Sequence, residues 1–254
     1  RAESARIWNK ALNDIRIESS DPKVMVNFYT ALYHTMIAPY AYQDVDGRYL
    51  GMDKKVHRAE PGYVNYSVFS LWDTFRALHP LMTIIQPERA ADWGKVLVQG
   101  YKEGGILPKW PLASSYTGCM VGYPAVSVLA DLMTKDLAEG DLNVWAEAGA
   151  RSSVYRNDLA EKFKGTRELD LITRHPYYKE KYGFVPADSV PESVSWGLEM
   201  AYYDWCISQI AAKAGNTELA KEYAAKAEYY KRYLDPETKM MRGVMGDGSF
   251  RTPF

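Results

Sequence analysis

Two predicted helices near the end of the chain differ in how many of their faces are apolar, and this difference constrains the fold more than any other feature. In residues 216–234 a single apolar stripe faces a side rich in Lys and Glu, which is typical of an outer helix. In residues 190–213 apolar side chains cover two faces, so this helix should be enclosed by neighbours. Its two rows are Val194, Leu198, Ala201 and Trp205, and Trp196, Met200, Tyr203, Ile207 and Ile210.

Apolar periodicity predicts five further helices, which makes seven in all. One follows Ser20-Asp21-Pro22, which supplies a cap and a first-turn proline, and it ends before Pro39. The others cover about residues 65–79, 87–102, 122–137 and 142–162. Residues 40–51 alternate aromatic side chains around Asp46-Gly47 and predict a short hairpin or an ordered loop.

Long loops separate several of these helices. Residues 103–121 and 163–190 show little periodicity but many aromatic and turn residues, a composition typical of loops that build a site. Inner helices followed by outer helices, joined by such loops, predict an all-α fold with a double-layered helical toroid rather than a coiled coil or a tight bundle.

Composition excludes several classes of function. The chain has 254 residues with a formal net charge of -1 and no basic run, which argues against nucleic acid as a partner. No stretch approaches the roughly 20 apolar residues of a membrane-crossing helix. Cys119 and Cys206 form neither a disulfide framework nor a metal-binding spacing. Seven Trp and 20 Tyr favour surfaces that are partly apolar and partly wet, as sugar-binding clefts are, although most of these rings should pack helices.

A carboxylate stands beside an indole within an otherwise apolar segment. Burying Asp73 next to Trp72 costs free energy unless polar groups meet the charge. A sugar supplies such groups, because an aromatic ring stacks on its C–H face while a carboxylate accepts hydrogen bonds from its hydroxyls. The alternative is structural: Asp73 pairs with Arg76 one turn further on, and Trp72 belongs to the core.

Several ordered motifs together resemble glycoside hydrolase family 92. They are Phe69 to Arg76 with His79-Pro80-Leu81, then Lys109-Trp110-Pro111, Gly118-Cys119-Met120-Val121-Gly122, and Ser193-Val194-Ser195 through Leu198-Glu199 to Asp204-Trp205. The resemblance runs over nearly the whole chain. Members of this family are calcium-dependent, inverting, exo-acting α-mannosidases, many of them secreted or surface-attached in gut bacteria that degrade N-glycans.

The resemblance implies that the chain is one part of a larger protein. The family joins an N-terminal β-sandwich to an (α/α)6 toroid, and this sequence lacks a strand-rich sandwich. We therefore expect residues 1–254 to be a partial (α/α)6 toroid whose partners are the sandwich and the remaining toroid. The implied substrate is a glycan with terminal α-linked mannose, in particular α-1,2-linked mannose. The implied location is the periplasm, the surface or the outside of a bacterium.

The resemblance also limits which catalytic residues can be assigned. An inverting glycosidase uses a carboxylic acid and a carboxylate base roughly 6.5 to 9.5 Å apart. The family motifs that carry them do not occur here, so the acid and the base are expected beyond Phe254. Most calcium ligands are expected there as well, and no residue of this chain is assigned as a catalyst or as a metal ligand.

The sugar-binding side of the site can be assigned. Trp72 and Asp73 match the family's Trp-Asp-Thr motif, in which the aspartate would contact hydroxyls of the terminal mannose, and Trp110 matches the tryptophan of the pocket wall. Glu192 and Glu199 lie about two turns apart on one predicted helix. Glu192 is best explained as an N-terminal helix charge, whereas for Glu199 a structural and a substrate-binding role stay open.

The remaining polar residues point to no second site. His34, His57, His79 and His175 lack metal-ligand spacing, and Asp44, Asp46 and Asp53 depart from the pattern of a calcium loop. Two other functions stay open. The parent could be another (α/α)6 glycosidase, related to glucosidases or trehalases, or a carbohydrate-binding toroid without catalysis.

Overall fold

Helices dominate the part of the chain that the computed structural model describes, residues 1–164 and 174–253. They are α1 (Ala2–Leu12), α2 (Pro22–Thr35), α3 (Leu71–Thr74), α4 (Leu78–Ile85), α5 (Pro87–Gly104), α6 (Ala125–Thr134), α7 (Leu142–Ser152), α8 (Asn157–Lys162), α9 (His175–Tyr182), α10 (Ser193–Lys213) and α11 (Thr217–Ala227), the last continued by a 3-10 helix, Glu228–Tyr233. The all-α prediction is confirmed.

The strands in these ranges are short and pair in twos. Strand β1 (Tyr40–Ala41) pairs with β4 (Tyr66–Ser67), β2 (Arg48–Leu50) with β3 (Val56–Arg58), and β5 (Pro111–Leu112) with β6 (Ser115–Tyr116), all antiparallel. The turn predicted at Asp46-Gly47 exists, with the Gly47 amide bonded to the Asp44 carbonyl at 2.9 Å. Because β1 pairs with β4 and β2 pairs with β3, residues 40–51 form an ordered loop and not a self-contained hairpin.

Helix α10 is the central helix of the core. It packs against α6, α7 and α11, and its row from Trp196 to Ile210 is buried as predicted. Its other row is not fully enclosed, because Trp205 is 48% exposed and the neighbouring Tyr202 is 40% exposed. Helix α11 buries Tyr223 against α10 and leaves its charged side in water, which confirms it as an outer helix.

Three of the predicted segments differ from the structure. The predicted helix at 65–79 contains β4, the short α3 and the start of α4. Pro80 explains the break, because it has no N–H to bond the Arg76 carbonyl but fits the first turn of a new helix. The segment 142–162 also divides into two helices, α7 and α8. At the break the Ser153 hydroxyl bonds the Tyr223 hydroxyl at 2.7 Å, and the Tyr155 amide donates to Glu180 at 3.0 Å.

The predicted loop at 163–190 contains a helix that periodicity did not reveal. Helix α9 lies within it at His175–Tyr182, while residues 165–173 lie outside the described residues. Helix α1 was also not predicted. Within the described ranges, no helix combines the length and the apolar character needed to cross a membrane.

Candidate functional site

The Trp-Asp-Thr motif forms the last three of the four residues of α3, and the hydroxyl of one residue connects it to a second motif. Ser70 occupies the N-cap, and its hydroxyl donates to the Asp73 carboxylate three residues on instead of capping a backbone amide. The indole Nε1–H of Trp110 donates to the Ser70 Oγ at 2.6 Å, and the Leu71 amide bonds the Lys109 carbonyl at 3.3 Å. The structure thus brings Asp73 and Trp110 together through Ser70.

The Asp73 carboxylate is exposed and has no ion pair with Arg76. The Arg76 guanidinium bonds the carboxylate of Glu199 instead, so the structural alternative for Asp73 is wrong. Trp72 is half-buried against the main core, which agrees with the core alternative for that ring, and its buried indole nitrogen has no hydrogen-bond partner among the described residues. Asp73 is therefore free to accept hydrogen bonds from a ligand.

Glu199 belongs to a second polar group, which Arg76 joins to the segment that follows α3. Its carboxylate, 16% exposed, is bonded by the half-exposed Arg76 and accepts the Tyr203 hydroxyl at 2.7 Å. Burial and this bond to Glu199 raise the pKa of Tyr203 far above its ordinary value. These contacts give Glu199 a structural role, while its contact with substrate stays a prediction. Glu192 takes the N-cap of α10 in a left-handed conformation, with no cap bond from its side chain.

A small cavity of about 30 Å³ lies behind Trp110. Its walls come from the β5–β6 region, the loop before α6 and the start of α10: Ile106, Leu107, Lys109, Trp110, Tyr116, Gly118, Gly122, Tyr123, Ser152, Pro176, Trp196 and Met200. Gly122 has φ +65°, and a Cβ there would lie 2.4 Å from Cε2 of Tyr203. The loop before α6 can therefore approach α10 this closely because residue 122 is a glycine.

A buried ion pair lies behind Tyr123, one of the residues that line the cavity. The Lys179 ammonium of α9 donates to both carboxylate oxygens of Asp204 at 3.0 Å and to the Tyr123 hydroxyl at 2.9 Å, and Tyr123 donates to Asp204. Asp204 is 0% exposed. Burial raises the pKa of the Asp204 carboxyl and lowers the pKa of Lys179. All three polar groups are paired, so this cluster positions α9 and α10 relative to Tyr123.

Lys109 is a second buried cation, and its surroundings are quite different. Its side chain is buried, and its Nζ lies 5.3 Å from the centroid of the Trp196 ring without a hydrogen-bond acceptor among the described residues. Burial lowers the pKa of this amine to about 7. His175 stacks on the same indole, with ring centroids 3.4 Å apart. Burial, with the charge of Lys109 as a smaller cause, lowers the pKa of His175 to about 3.

The described residues do not fit a calcium site. No three His, Cys, Asp or Glu side chains in these ranges converge as ligands would. The acidic side chains before β3 have other partners, since Asp46 pairs with Arg48 at 2.6 Å and Asp53 with His57 at 2.9 Å.

Two residues of this site were not singled out from the sequence. The sequence could have indicated a role for Ser70, because Ser70 and Asp73 have the spacing of a capping box at the start of a helix. Lys109 stands in the Lys109-Trp110-Pro111 motif, but its burial had no local signal, because it depends on α9 and α10, which are distant in sequence.

Comparisons with known proteins identify the family of this chain. The profile of the glycosyl hydrolase family 92 catalytic domain matches residues 1–254. The chain is similar to the family GH92 alpha-mannosidase BT3965 from Bacteroides thetaiotaomicron, with 39% identity and a TM-score of 0.86 over 100% of this chain and 32% of that one. A second structure of that mannosidase is a complex with mannoimidazole, at 38% identity and a TM-score of 0.86 over 100% of this chain and 31% of that one.

The inverting mannosidase BT2199 of family GH92 from Bacteroides thetaiotaomicron VPI-5482 is 29% identical, with a TM-score of 0.88 over 100% of this chain and 33% of that one. No curated protein shows a significant match. The chain thus spans about a third of the length of the solved structures it matches.

Proposed function

This chain belongs to glycosyl hydrolase family 92, and from that membership we propose that the protein containing it is an exo-acting α-mannosidase that removes terminal mannose from glycans. One observation carries the proposal. Ser70 sets the exposed carboxylate of Asp73 beside the Trp110 indole, which places an acceptor for sugar hydroxyls next to a ring that can cover a sugar face.

These residues bind and orient the substrate in the proposed mechanism. Asp73 accepts hydrogen bonds from hydroxyls of the terminal mannose, since Ser70 occupies one of its oxygens and leaves the rest of the carboxylate open. Trp110 forms the pocket wall, with its indole N–H already fixed on Ser70. We propose that bond cleavage is carried out by two carboxyl groups outside this chain, because the family motifs expected to carry the acid and the base do not occur in residues 1–254.

Three finer features belong to the same proposal: α-1,2 linkage preference, inversion of the anomeric centre and dependence on calcium. Single displacement needs an acid and a base on opposite faces of the sugar. Since the described residues do not form a calcium site, we propose that the ligands come from other parts of the protein, and no step here involves the ion.

The full-length protein tests the function directly. With calcium present we expect mannose to be released from α-1,2-mannobiose, with the β-anomer appearing first in proton NMR spectra, and we expect chelation with EDTA to stop the reaction. Failure to release mannose, or first appearance of the α-anomer, contradicts the proposal. Release of glucose from α-glucosides instead would favour a relative of glucosidases or trehalases. Binding of mannose without any hydrolysis would favour a carbohydrate-binding toroid.

We also propose that the full-length protein acts on N-glycans in the periplasm, at the surface or outside a bacterial cell. The mannosidases of Bacteroides thetaiotaomicron that it resembles support a bacterial origin. Cell fractionation followed by immunoblotting tests this location, and recovery of the protein with the cytosol would contradict it.

A further inference from the structure

A second cavity lies between α5, residues 57–63 and residues 139–145, and we call it the α5 cavity. Its volume is about 510 Å³, within the range of roughly 300–1,000 Å³ that is typical of sites for small ligands, whereas the cavity behind Trp110 holds about 30 Å³. Among the described residues, the two cavities share no lining side chain, and neither Asp73 nor Trp110 lines the α5 cavity. The candidate sugar wall therefore does not account for this cavity.

Part of the lining of the α5 cavity is aromatic and apolar. It comprises the rings of Tyr49, Tyr63 and Trp145 and the side chains of Val98 and Val144. Tyr49, Val98 and Trp145 are buried, while Tyr63 and Val144 are half-buried and keep part of their surface accessible. An aromatic and aliphatic surface of this kind suits the C–H face of a pyranose.

The charged side chains of the lining balance one another. They are three cations and three anions: Arg58, Lys95, Lys102, Glu60, Glu139 and Asp141. Some of them are already paired, since Lys95 bonds Glu139 at 2.7 Å and Arg58 lies 3.8 Å from Asp46. Because the charges cancel, the lining favours neither an anion nor a cation. Its mixture of donors and acceptors suits a neutral ligand that carries several hydroxyls.

We propose that the α5 cavity is a second binding site for neutral sugar residues of the glycan, separate from the site of Asp73 and Trp110. The class of ligand rests on the proposed function, whereas the position of the site rests on the cavity itself. In this site the Tyr63 ring contacts the C–H face of the sugar. The exposed amine of Lys102, which has no hydrogen-bond or ion-pair partner among the described residues, donates to a sugar hydroxyl.

The test uses the full-length protein with Asp73→Ala, which removes the sugar contact of the first site. Titration calorimetry with α-1,2-mannobiose should still detect one bound disaccharide per protein. Adding Val144→Trp fills the α5 cavity with an indole and should weaken this binding at least roughly tenfold, because the ring takes the space of the sugar. Val45→Trp is the matched control, since Val45 is exposed and does not line the cavity, and it should leave the binding unchanged.

A second pair of variants tests the aromatic contact. In the same Asp73→Ala protein, Tyr63→Ala removes the ring and should weaken the binding of α-1,2-mannobiose. Tyr63→Phe keeps the ring and loses only a hydroxyl that is buried, so it should bind the disaccharide as the parent variant does.

Each other outcome overturns the proposal. Absence of binding to the folded Asp73→Ala protein, or equal binding with and without Val144→Trp, shows that the α5 cavity takes no sugar. Equal losses with Val144→Trp and Val45→Trp show that the effect is not local to the cavity. If Val144→Trp does not fold, equal affinities of the Tyr63→Ala and Tyr63→Phe proteins decide against the site.

Hydrolysis by the wild type reports on the proposed function separately. A folded wild type that releases no mannose contradicts the proposed function, while binding of α-1,2-mannobiose that Val144→Trp abolishes would still support the α5 cavity as a sugar site. Release of mannose without such binding supports the proposed function and overturns this inference.

Discussion

Ser70 is the residue on which the arrangement of the candidate sugar wall depends. Its oxygen accepts the Trp110 N–H, so its own proton is left to bond Asp73. The hydroxyl fixes two side chains from distant parts of the sequence while Asp73 itself stays exposed to ligand. Loss of Ser70 should therefore affect ligand binding more than folding.

We expect Ser70→Ala in the full-length protein to reduce kcat/KM for α-1,2-mannobiose roughly 10- to 100-fold, because a hydrogen bond to a charged group contributes roughly 1.5–3 kcal/mol. Asp73→Ala should reduce it further, since it removes the ligand contact itself. Thermal midpoints should stay near that of the wild type for both. Ser20→Ala, at an exposed serine before α2, is the control. If Ser70→Ala and Asp73→Ala greatly lower the thermal midpoint and leave the kinetics unchanged, the two residues stabilise the fold and do not bind substrate.

Gly122 is the residue at which backbone conformation and packing act together. Its φ of +65° disfavours a side chain, and a Cβ would clash with Tyr203. Gly140 has φ +98° with nothing within 4 Å of an added Cβ, so a side chain there would be strained by the backbone conformation but would not clash. We expect Gly122→Ala to lower the free energy of unfolding by about 1–3 kcal/mol more than Gly140→Ala does, because overpacking adds to strain. Urea denaturation measures both, and equal losses would show that Tyr203 moves aside freely.

At the scale of elements, α9 and α10 are joined by the buried pair of Lys179 and Asp204. Removal of one partner leaves the other charged and unpaired in the core, so Asp204→Asn should lower the free energy of unfolding by roughly 3–5 kcal/mol. The double variant Lys179→Met with Asp204→Leu removes both charges and should recover much of that loss. Chemical denaturation of the three proteins measures the coupling. Additive losses would show that the two side chains stabilise α9 and α10 independently.

The elements also show what the sequence could predict. The amphipathic patterns of α2, α5, α10 and α11 were strong enough to locate these helices, because each covers at least three turns of regular apolar spacing. The sequence did not predict α9, because its Tyr and Lys side chains do not form a single apolar stripe along the helix. The pairing of β1 with β4 joins residues far apart along the chain, and local pattern carries no information about such contacts.

The same distinction applies to the candidate site. Asp73 and Trp110 stand in recognisable motifs, so their grouping could be predicted from the sequence, whereas Trp72 packs against the main core. The partner of Arg76 could not, because Glu199 reaches it from α10, more than a hundred residues along the chain. The burial of Lys109 depends on the same kind of long-range packing.

At the scale of the whole molecule, two buried histidines link stability to pH. Burial lowers the pKa of His79 and of His175 to about 3, whereas a histidine in the unfolded chain titrates near 6.5. Between these values the unfolded chain binds protons that the folded protein does not, so acid favours unfolding.

We therefore expect stability to be highest above pH 6.5 with respect to these two groups, and to fall by up to about 1.4 kcal/mol per pH unit for each histidine as the pH drops towards 3. Urea denaturation at a series of pH values measures the slope. The variant His79→Leu should show a shallower slope than the wild type over this window. An unchanged slope would show that folding does not lower the pKa of His79.

On the exposed side of α10, Trp205 is an intrinsic fluorescence probe for contacts with this helix. Of the seven tryptophans, all within the described ranges, Trp205 alone is exposed, and it stacks with Tyr202 at 6.1 Å between ring centroids. Its emission should be the most red-shifted and the most easily quenched by iodide. A protein segment that packs over α10 would shield Trp205, so a blue shift and lost quenching would report that contact without any added label.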